Sequence, residues 1–262
     1  MRNLVVTLLI LCLAGTVKAQ DIFGPSNDVK TRHGFILNGN VSFDLPAADM
    51  AKRFGKSYRL GPAVTYKTES NWVFGVKFDF ILGNKITDDS FMINIRDKYN
   101  ASFNGKLVEL IDVNGNRSGV PIYERGYETG VQVGKIFNFK KSQPDNGLFL
   151  LTTIGFVQHK IDIYNADKSI PGIQGAYLKG YDRLTNGWCI DQYAGYAFFS
   201  KNELLNFSLG LDVMVGFTQG RRDYLFDVMR PDNQKRTDIL YGIRGGWMIP
   251  VFKRKVEEVE FQ

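Results

Sequence analysis

Few side chains in this sequence could carry out acid–base or nucleophilic chemistry. The 262 residues include only two histidines, His33 and His159, and two cysteines. Catalysis needs a nucleophile or base held beside an orienting group. His159, with Lys160 and Asp162 close in sequence, is the one candidate for such a base. The alternative interpretation is a histidine that packs at the end of a strand and has no chemical role.

No metal site and no cofactor are predicted. No His, Cys, Asp and Glu residues have the spacing of zinc ligands. The segment Thr87-Asp88-Asp89-Ser90 offers two acids, too few for a calcium cage. No glycine-rich loop precedes a helix, so a phosphate-binding loop of that kind is not expected.

Charged residues placed opposite apolar faces predict an internal ion-pair network. Its expected members are Lys77, Asp79, Glu128, Gln132, Asp191, Asp212 and Arg244. Charges in a low-dielectric interior must be paired, so Lys77 and Arg244 are expected to neutralise the acids. The expected role is a structural plug, and the alternative is a path for protons or ions.

Apolar, aromatic and arginine residues in the long connections predict a surface that docks another protein. Tyr and Arg are enriched at protein interfaces, and large exposed apolar surfaces usually mark interaction sites. The alternative is that the loops pack on each other as a lid. The candidate docking residues are Phe91, Ile93, Ile95, Leu107, Leu110, Tyr177, Tyr181, Arg183, Arg221, Arg222, Tyr224 and Phe226.

The elements that carry these residues alternate with a period of two, which is typical of strands. From Gly34 to Asp44, for example, every second residue from Phe35 to Phe43 forms one face, and polar residues dominate the other. Eight such segments are predicted: Gly34–Asp44, Tyr58–Lys67, Trp72–Gly83, Tyr127–Phe137, Leu148–His159, Trp188–Phe199, Leu205–Phe217 and Ile239–Val251.

The connections between these segments alternate in length. Thr68–Asn71 is short, whereas Asn84–Arg125 is long. Short and long connections in turn are typical of an outer-membrane barrel, with short periplasmic turns and long extracellular loops. An even number of strands places both termini in the periplasm. A hairpin-turn signal at Asn114-Gly115 leaves ten strands as the alternative.

The predicted fold is an all-β, transmembrane, antiparallel up-and-down barrel of eight strands. A soluble sandwich also alternates, but here the large aromatic faces oppose glycine and charge. The segments also reach the transmembrane length of about 10 residues, and aromatic residues mark their ends. His159 then falls near the outer end of its strand, at the membrane interface. Ala47–Phe54 is expected to form a short amphipathic helix at the rim.

The first predicted segment of the chain is an export signal over residues 1–19. Arg2 precedes the apolar run Leu4–Val17, and Val17-Lys18-Ala19 places small residues where cleavage occurs. A periplasmic segment (20–32), the barrel (33–252) and a periplasmic tail (253–262) follow. Cleavage removes two of the 33 basic residues and none of the 27 acidic ones, so the net charge falls from +6 to +4. So mild a charge predicts no nucleic-acid partner.

The last strand carries a resemblance to a known family. Its sequence from Tyr241 to Phe252, YGIRGGWMIPVF, is similar to the C-terminal insertion signal of outer-membrane barrels, with Tyr241, Trp247 and Phe252 as its aromatic positions. In that family the aromatic residue usually ends the chain, whereas here Lys253–Gln262 follows. The mature chain resembles the small outer-membrane β-barrels common in Bacteroidota. The resemblance implies a bacterial outer-membrane location and contact with lipid.

Three functions are compatible with these patterns. The first is a non-enzymatic structural or accessory subunit of a larger outer-membrane assembly, and protein insertion or export machinery is the first to test because similar small barrels serve there. The second is an outer-membrane lipid-modifying enzyme centred on His159. The third is a narrow pore or small-ligand-binding barrel that uses the charged interior.

Overall fold

A computed structural model describes residues 31–96, 103–200 and 205–252. The predicted export signal and the tail 253–262 lie outside these ranges, as does most of the segment 20–32. No helix in the described part of the chain is long and apolar enough to cross a membrane. The elements are β1 (Gly34–Ala47), α1 (Ala48–Ala51), β2 (Ser57–Lys67), β3 (Trp72–Gly83), β4 (Leu107–Ile111), β5 (Arg117–Asn138), β6 (Gly147–Ile163), β7 (Thr185–Phe198), β8 (Phe207–Gly220), β9 (Arg222–Leu225), β10 (Arg230–Asp232) and β11 (Lys235–Phe252).

Eight antiparallel strands close into a barrel, which confirms the predicted fold. The order around the wall is β3, β2, β1, β11, β8, β7, β6 and β5, and pairing of β3 with β5 completes the circle. The first and last strands are neighbours, and β1 pairs with β11 over the whole length of β1, from Gly34 opposite Phe252 to Ala47 opposite Ile239. Residues 34 and 252 therefore lie at one end of the barrel, here called the terminal end, and the long connections lie at the opposite loop end.

The ten-strand alternative is wrong, although a hairpin does turn at Asn114-Gly115. Asp112 Oδ1 accepts hydrogen bonds from the backbone N–H of Asn114 and Asn116, both at 2.8 Å, and Gly115 adopts φ of +81°. Within the described residues β4 has one neighbouring strand, β5. It pairs with Arg117–Pro121, beyond the point where β3 has ended, so this hairpin stands above the wall instead of entering it.

Several strands are longer at the loop end than their sequence patterns predict. β5 begins at Arg117, ten positions before the predicted Tyr127, and β11 begins at Lys235. Neighbouring strands keep pairing there, as shown by Ile122 opposite Ile163, so the wall rises above its apolar belt and the connections shorten. The helix α1 is a single turn rather than the predicted Ala47–Phe54.

The barrel has apolar residues outside and charged residues inside. Outward side chains such as Phe35, Val76, Trp188, Leu211 and Ile243 are 54–70% exposed. A second set points inward and is at most 2% exposed: Asp44, Arg59, Lys77, Asp79, Glu128, Asp191 and Asp212. This distribution is the reverse of a water-soluble barrel and is typical of barrels that face lipid.

Two apolar clusters close the interior above and below its charged layer. The terminal-end cluster includes Ile36, Phe149, Leu151, Tyr193 and Met248. Phe149 and Leu151 point into it, which explains why β6 is apolar on both faces. The loop-end cluster includes Met50, Phe54, Phe91, Met92, Leu110, Ile122, Ile161 and Tyr181.

Candidate functional site

Arg59 is the centre of the buried ion-pair network. It extends inward from β2, and its guanidinium binds Asp44 through two hydrogen bonds, Nε to Oδ2 at 2.9 Å and Nη2 to Oδ1 at 3.0 Å. Its Nη1 donates to Glu128 Oε2 at 2.8 Å, and its Nη2 also contacts Asp212. One side chain thus joins β1, β2, β5 and β8 across the interior, and bidentate contacts of this kind are among the strongest that a protein makes.

Two further cations complete the network. Lys77 Nζ lies 2.9 Å from Glu128 Oε1 and 3.1 Å from Asp79 Oδ2, and it also contacts Asp191. Arg244 reaches Asp79 and Asp191 at 3.1 and 3.2 Å. It also reaches Asp212, at 3.2 Å. The sequence analysis named all of these residues, and the structure brings them together in one layer.

The composition of the layer differs from the sequence-based list in two ways. Gln132 is buried in the interior, but its Nε2 donates to Thr153 Oγ1 at 3.2 Å and not to a carboxylate of the network. Asp44 and Arg59 were missed, although the alternation of β1 and β2 already placed them on polar faces. Three cations therefore face five carboxylates. Depth along the barrel, which alternation does not specify, explains why Gln132 lies outside the network.

His159 lies inside the barrel and not at the membrane interface. The imidazole is fully buried, with Nε2 3.0 Å from Asp238 Oδ2 and the ring edge against Phe54. Asp238 also accepts from Thr218 Oγ1 at 2.6 Å and contacts Arg53. The expected interfacial position is wrong because the strand continues to Ile163, four residues past this histidine. A base enclosed in this way has no contact with lipid outside the wall.

The loop end is a packed lid, which changes the predicted docking surface. Arg183 Nη2 binds Asp227 Oδ2 at 2.9 Å and Asp88 Oδ2 at 3.2 Å, and Asp227 also accepts from the Met92 N–H at 2.9 Å. Burial raises the pKa of Asp227, against the opposing effect of Arg183. Of the predicted docking residues, Phe91, Leu110, Tyr181 and Arg183 are buried in this lid, because the apolar segments fold back onto the barrel mouth.

The remaining predicted docking residues are nearer the surface. Phe226 is partly buried and packs against Tyr181. Arg222 is half-buried on Asp182, with Nε 2.7 Å from Oδ1, and Arg221 is exposed and donates to Asn186 Oδ1 at 2.6 Å. The exposed apolar and aromatic members are Ile93, Ile95, Leu107, Tyr177 and Tyr224. Exposed apolar residues that the sequence analysis did not select are Ile111, Val113, Tyr164 and Met229.

The aromatic positions of the predicted insertion signal lie on β11. Tyr241 and Trp247 point outward and are 44% and 57% exposed. Phe252 ends the strand at the terminal end, where it packs against Phe199 and lies under the Arg32 guanidinium. Their role in insertion stays a prediction. In the described residues, no group of three or more His, Cys, Asp or Glu is placed to hold a metal ion.

No known protein family matches the sequence, and no curated protein matches it. Among solved structures, the attachment invasion locus protein Ail of Yersinia pestis, crystallised with the heparin analogue sucrose octasulfate, shares 11% identity over 83% of this chain and 99% of its own, with a TM-score of 0.40. Neisserial surface protein A shares 9% identity over 82% and 96%, with a TM-score of 0.40. The N-terminal barrel of Pseudomonas aeruginosa OprF shares 9% over 83% and 99%, with a TM-score of 0.36. The assignment of eight strands rests on this chain's own pairing.

Proposed function

We propose that this protein is a non-enzymatic barrel of the bacterial outer membrane that serves as an accessory subunit of a larger outer-membrane assembly. The observation that carries the proposal is the contrast between its interior and its loop end. Ion pairs and two apolar clusters fill the interior, whereas apolar side chains remain exposed on the loops above the belt. Whatever the protein binds must therefore meet its outer surface.

The outward faces support a membrane location. Every barrel strand presents large apolar residues outward, and aromatic pairs such as Phe35 with Tyr66 and Phe43 with Tyr58 lie near the two ends of the belt. Exposing these faces to water would cost roughly 25 cal/mol per Å² of apolar surface. A closed antiparallel wall also pairs the backbone groups that lipid cannot hydrogen-bond.

The connections support a proposed orientation in the membrane. Residues 34 and 252 and the turn 68–71 share the terminal end. In outer-membrane barrels the short turns face the periplasm and the long loops face outward. We therefore place both termini in the periplasm and the lid on the outer side.

The interior argues against the two alternatives in which the barrel acts alone. A narrow pore needs an open path, but Arg59, Lys77 and Arg244 span the middle section with their carboxylate partners. A lipid-modifying enzyme needs a base that reaches lipid, but His159 is enclosed and bonded to Asp238. Paired and hydrogen-bonded charges of this kind are those of a structural plug.

The β4–β5 hairpin is the best-defined part of the proposed docking surface. Its tip exposes Ile111 (50%) and Val113 (65%), and Tyr164 (59%) is exposed next to its base. The hairpin is held at both ends, because Val113 N–H at the tip donates to Ser169 O at 3.0 Å and Tyr164 N–H donates to Pro121 O at the base at 2.9 Å. A pre-ordered apolar patch loses little conformational entropy when it binds a partner.

A second exposed patch lies on the lid, where Tyr177, Tyr224 and Met229 are 42–75% exposed. Tyrosine and methionine are enriched in the buried cores of protein interfaces. Both patches would fit a partner that is another outer-membrane protein with an apolar surface above the membrane. Protein insertion and export assemblies are the first to examine.

The test is purification of the tagged protein from its native membranes, followed by quantification of the co-eluting proteins. The variant Ile111→Ser/Val113→Ser should lose a partner that is stoichiometric in the wild type. Phe139→Ser is the matched control, because Phe139 is 73% exposed but follows β5 at the terminal end. A wild-type barrel that elutes alone, or a hairpin variant that retains every partner, would contradict the accessory-subunit role.

A further inference from the structure

We propose that a lysine-lined cleft at the outer rim of the loop end binds phosphate groups, with the headgroup of a membrane lipid as the favoured source. This site lies outside the network and the docking patches described above. The cleft has a volume of about 480 Å³ and is lined by Lys56, Asn84, Lys85, Asn104 and Lys106. All five lining residues are lysine or asparagine, and all are exposed.

Backbone hydrogen bonds hold the three lysine-bearing segments side by side. Gly55 N–H donates to Lys85 O at 2.9 Å, and Ile86 N–H donates to Gly105 O at 2.7 Å. Ile122 N–H donates to Lys106 O at 3.0 Å, which ties the third segment to β5. The cleft is therefore an extension of the paired barrel wall.

The close approach of two of these segments depends on Gly105. This residue adopts φ of +75°, and a Cβ atom placed on it would lie 2.0 Å from the carbonyl oxygen of Ile86. Asn104 adds order, because its Oδ1 accepts the Lys106 N–H at 2.9 Å and the Leu107 N–H at 3.2 Å. The positions of the lysine backbones are thus built into the fold.

The charge and chemistry of the lining select an anion with several acceptor oxygens. Three lysines line one cleft, where their flexible side chains can bring ammonium groups to a bound anion, and the asparagine amides can add neutral donors. Lysine binds phosphate well as a compact point charge. Lys52, an exposed lysine at the same end, has a carboxylate partner in Asp49 at 2.8 Å, whereas the described residues that line the cleft include no carboxylate.

The position of the cleft favours a lipid headgroup over a free phosphate. Tyr58 and Leu82 are partners in the β2–β3 register and lie on the lipid-facing side of the wall. Lys56 and Asn84 come two residues beyond them toward the loop end, just outside the two strands. The antiparallel bridge between Phe54 and Ile86 continues the same register, so we expect both residues on that same outer side. The cleft begins directly above the apolar belt, which is the depth of the headgroups.

Arg125 adds positive charge beside the cleft. It pairs with Leu82 across β3 and β5, its guanidinium stacks on Tyr123 at 4.5 Å, and its Nη1 donates to Gly83 O at 3.3 Å. Basic residues at a membrane surface attract anionic lipids, and each contributes roughly a factor of five in affinity. The attraction should weaken with salt, since exposed charges are screened.

The test compares two triple variants with the same change in net charge. Lys56→Gln/Lys85→Gln/Lys106→Gln removes the cleft lysines, and the control replaces the exposed lysines at 140, 179 and 235 by glutamine. The full barrel in a nonionic detergent is titrated with phosphatidic acid or phosphatidylcholine, and bound lipids are counted by native mass spectrometry. Inorganic phosphate is titrated separately by calorimetry. Heat-modifiable migration on gels shows that each variant is folded.

The wild type should prefer phosphatidic acid to phosphatidylcholine. The cleft variant should bind phosphatidic acid at least about tenfold more weakly, and the control should stay near the wild type. Binding of phosphatidic acid without binding of inorganic phosphate supports a lipid headgroup, and binding of both supports a site for phosphate from either source. Equal losses in the two variants, or a wild type that binds neither phosphate probe, would overturn the proposal.

Discussion

Replacing Arg59 by methionine should destabilise the barrel more than any lipid-facing substitution. The change keeps most of the side-chain volume but removes the guanidinium that binds Asp44 twice and also contacts Glu128 and Asp212. Five carboxylates would then face two cations. Removing one partner of a buried ion pair costs about 3–5 kcal/mol. The number of broken contacts places Arg59→Met near the upper limit.

Equilibrium unfolding by urea in detergent micelles measures this effect. All three tryptophans, at positions 72, 188 and 247, lie on the outward face, so their fluorescence reports loss of the folded barrel without disturbance of the network. With an m-value of about 2 kcal/mol/M, a loss of about 4 kcal/mol lowers the midpoint by about 2 M. This is a large fraction of the 5–15 kcal/mol that is typical of folded proteins.

Phe207→Leu is the matched control on the opposite face. Phe207 is 50% exposed on β8, and lipid tails are about as apolar as leucine, so this change should cost about 1 kcal/mol or less. Adding Asp212→Asn to Arg59→Met should recover part of the loss, because it removes a carboxylate that has lost a partner. A midpoint for Arg59→Met as high as that of Phe207→Leu would refute the claim that the network stabilises the barrel.

Three further outcomes are expected. Asp212→Asn alone should lower the urea midpoint less than Arg59→Met, because four carboxylates then face three cations. Arg183→Met should leave the barrel heat-modifiable on gels but make its loops more sensitive to protease, since Arg183 joins Asp88 and Asp227 only within the lid; unchanged cleavage would contradict this. Gly105→Ala should cost more than about 1 kcal/mol locally, because its Cβ would lie 2.0 Å from the Ile86 carbonyl oxygen, and should speed hydrogen exchange at the Ile86 amide, with the urea midpoint nearly unchanged; an unaltered exchange rate would show that the two segments are not held by this contact.

The sequence alone predicted the eight barrel strands and their faces, whereas only the structure excluded the ten-strand alternative. Alternation with a period of two is a local property, because successive side chains of a strand point to opposite sides. It therefore placed Lys77 and Asp212 inside and Phe35 and Trp188 outside, and the structure agrees. The same alternation places Asp44 and Arg59 on polar faces, so the same rule could have identified these two residues as members of the network.

Alternation does not specify how deep a side chain lies along the barrel or which residues it contacts. Both were decided by the tertiary structure. Register between strands determines which inward residues share a layer, so Arg59 became the centre while Gln132 fell below it. His159 became enclosed because β6 and β5 continue to pair beyond the belt. The lid depends on contacts between distant segments, such as that of Arg183 with Asp227. No local sequence pattern predicts such contacts, because they form, and stabilise the protein, only after distant segments of the chain have come together.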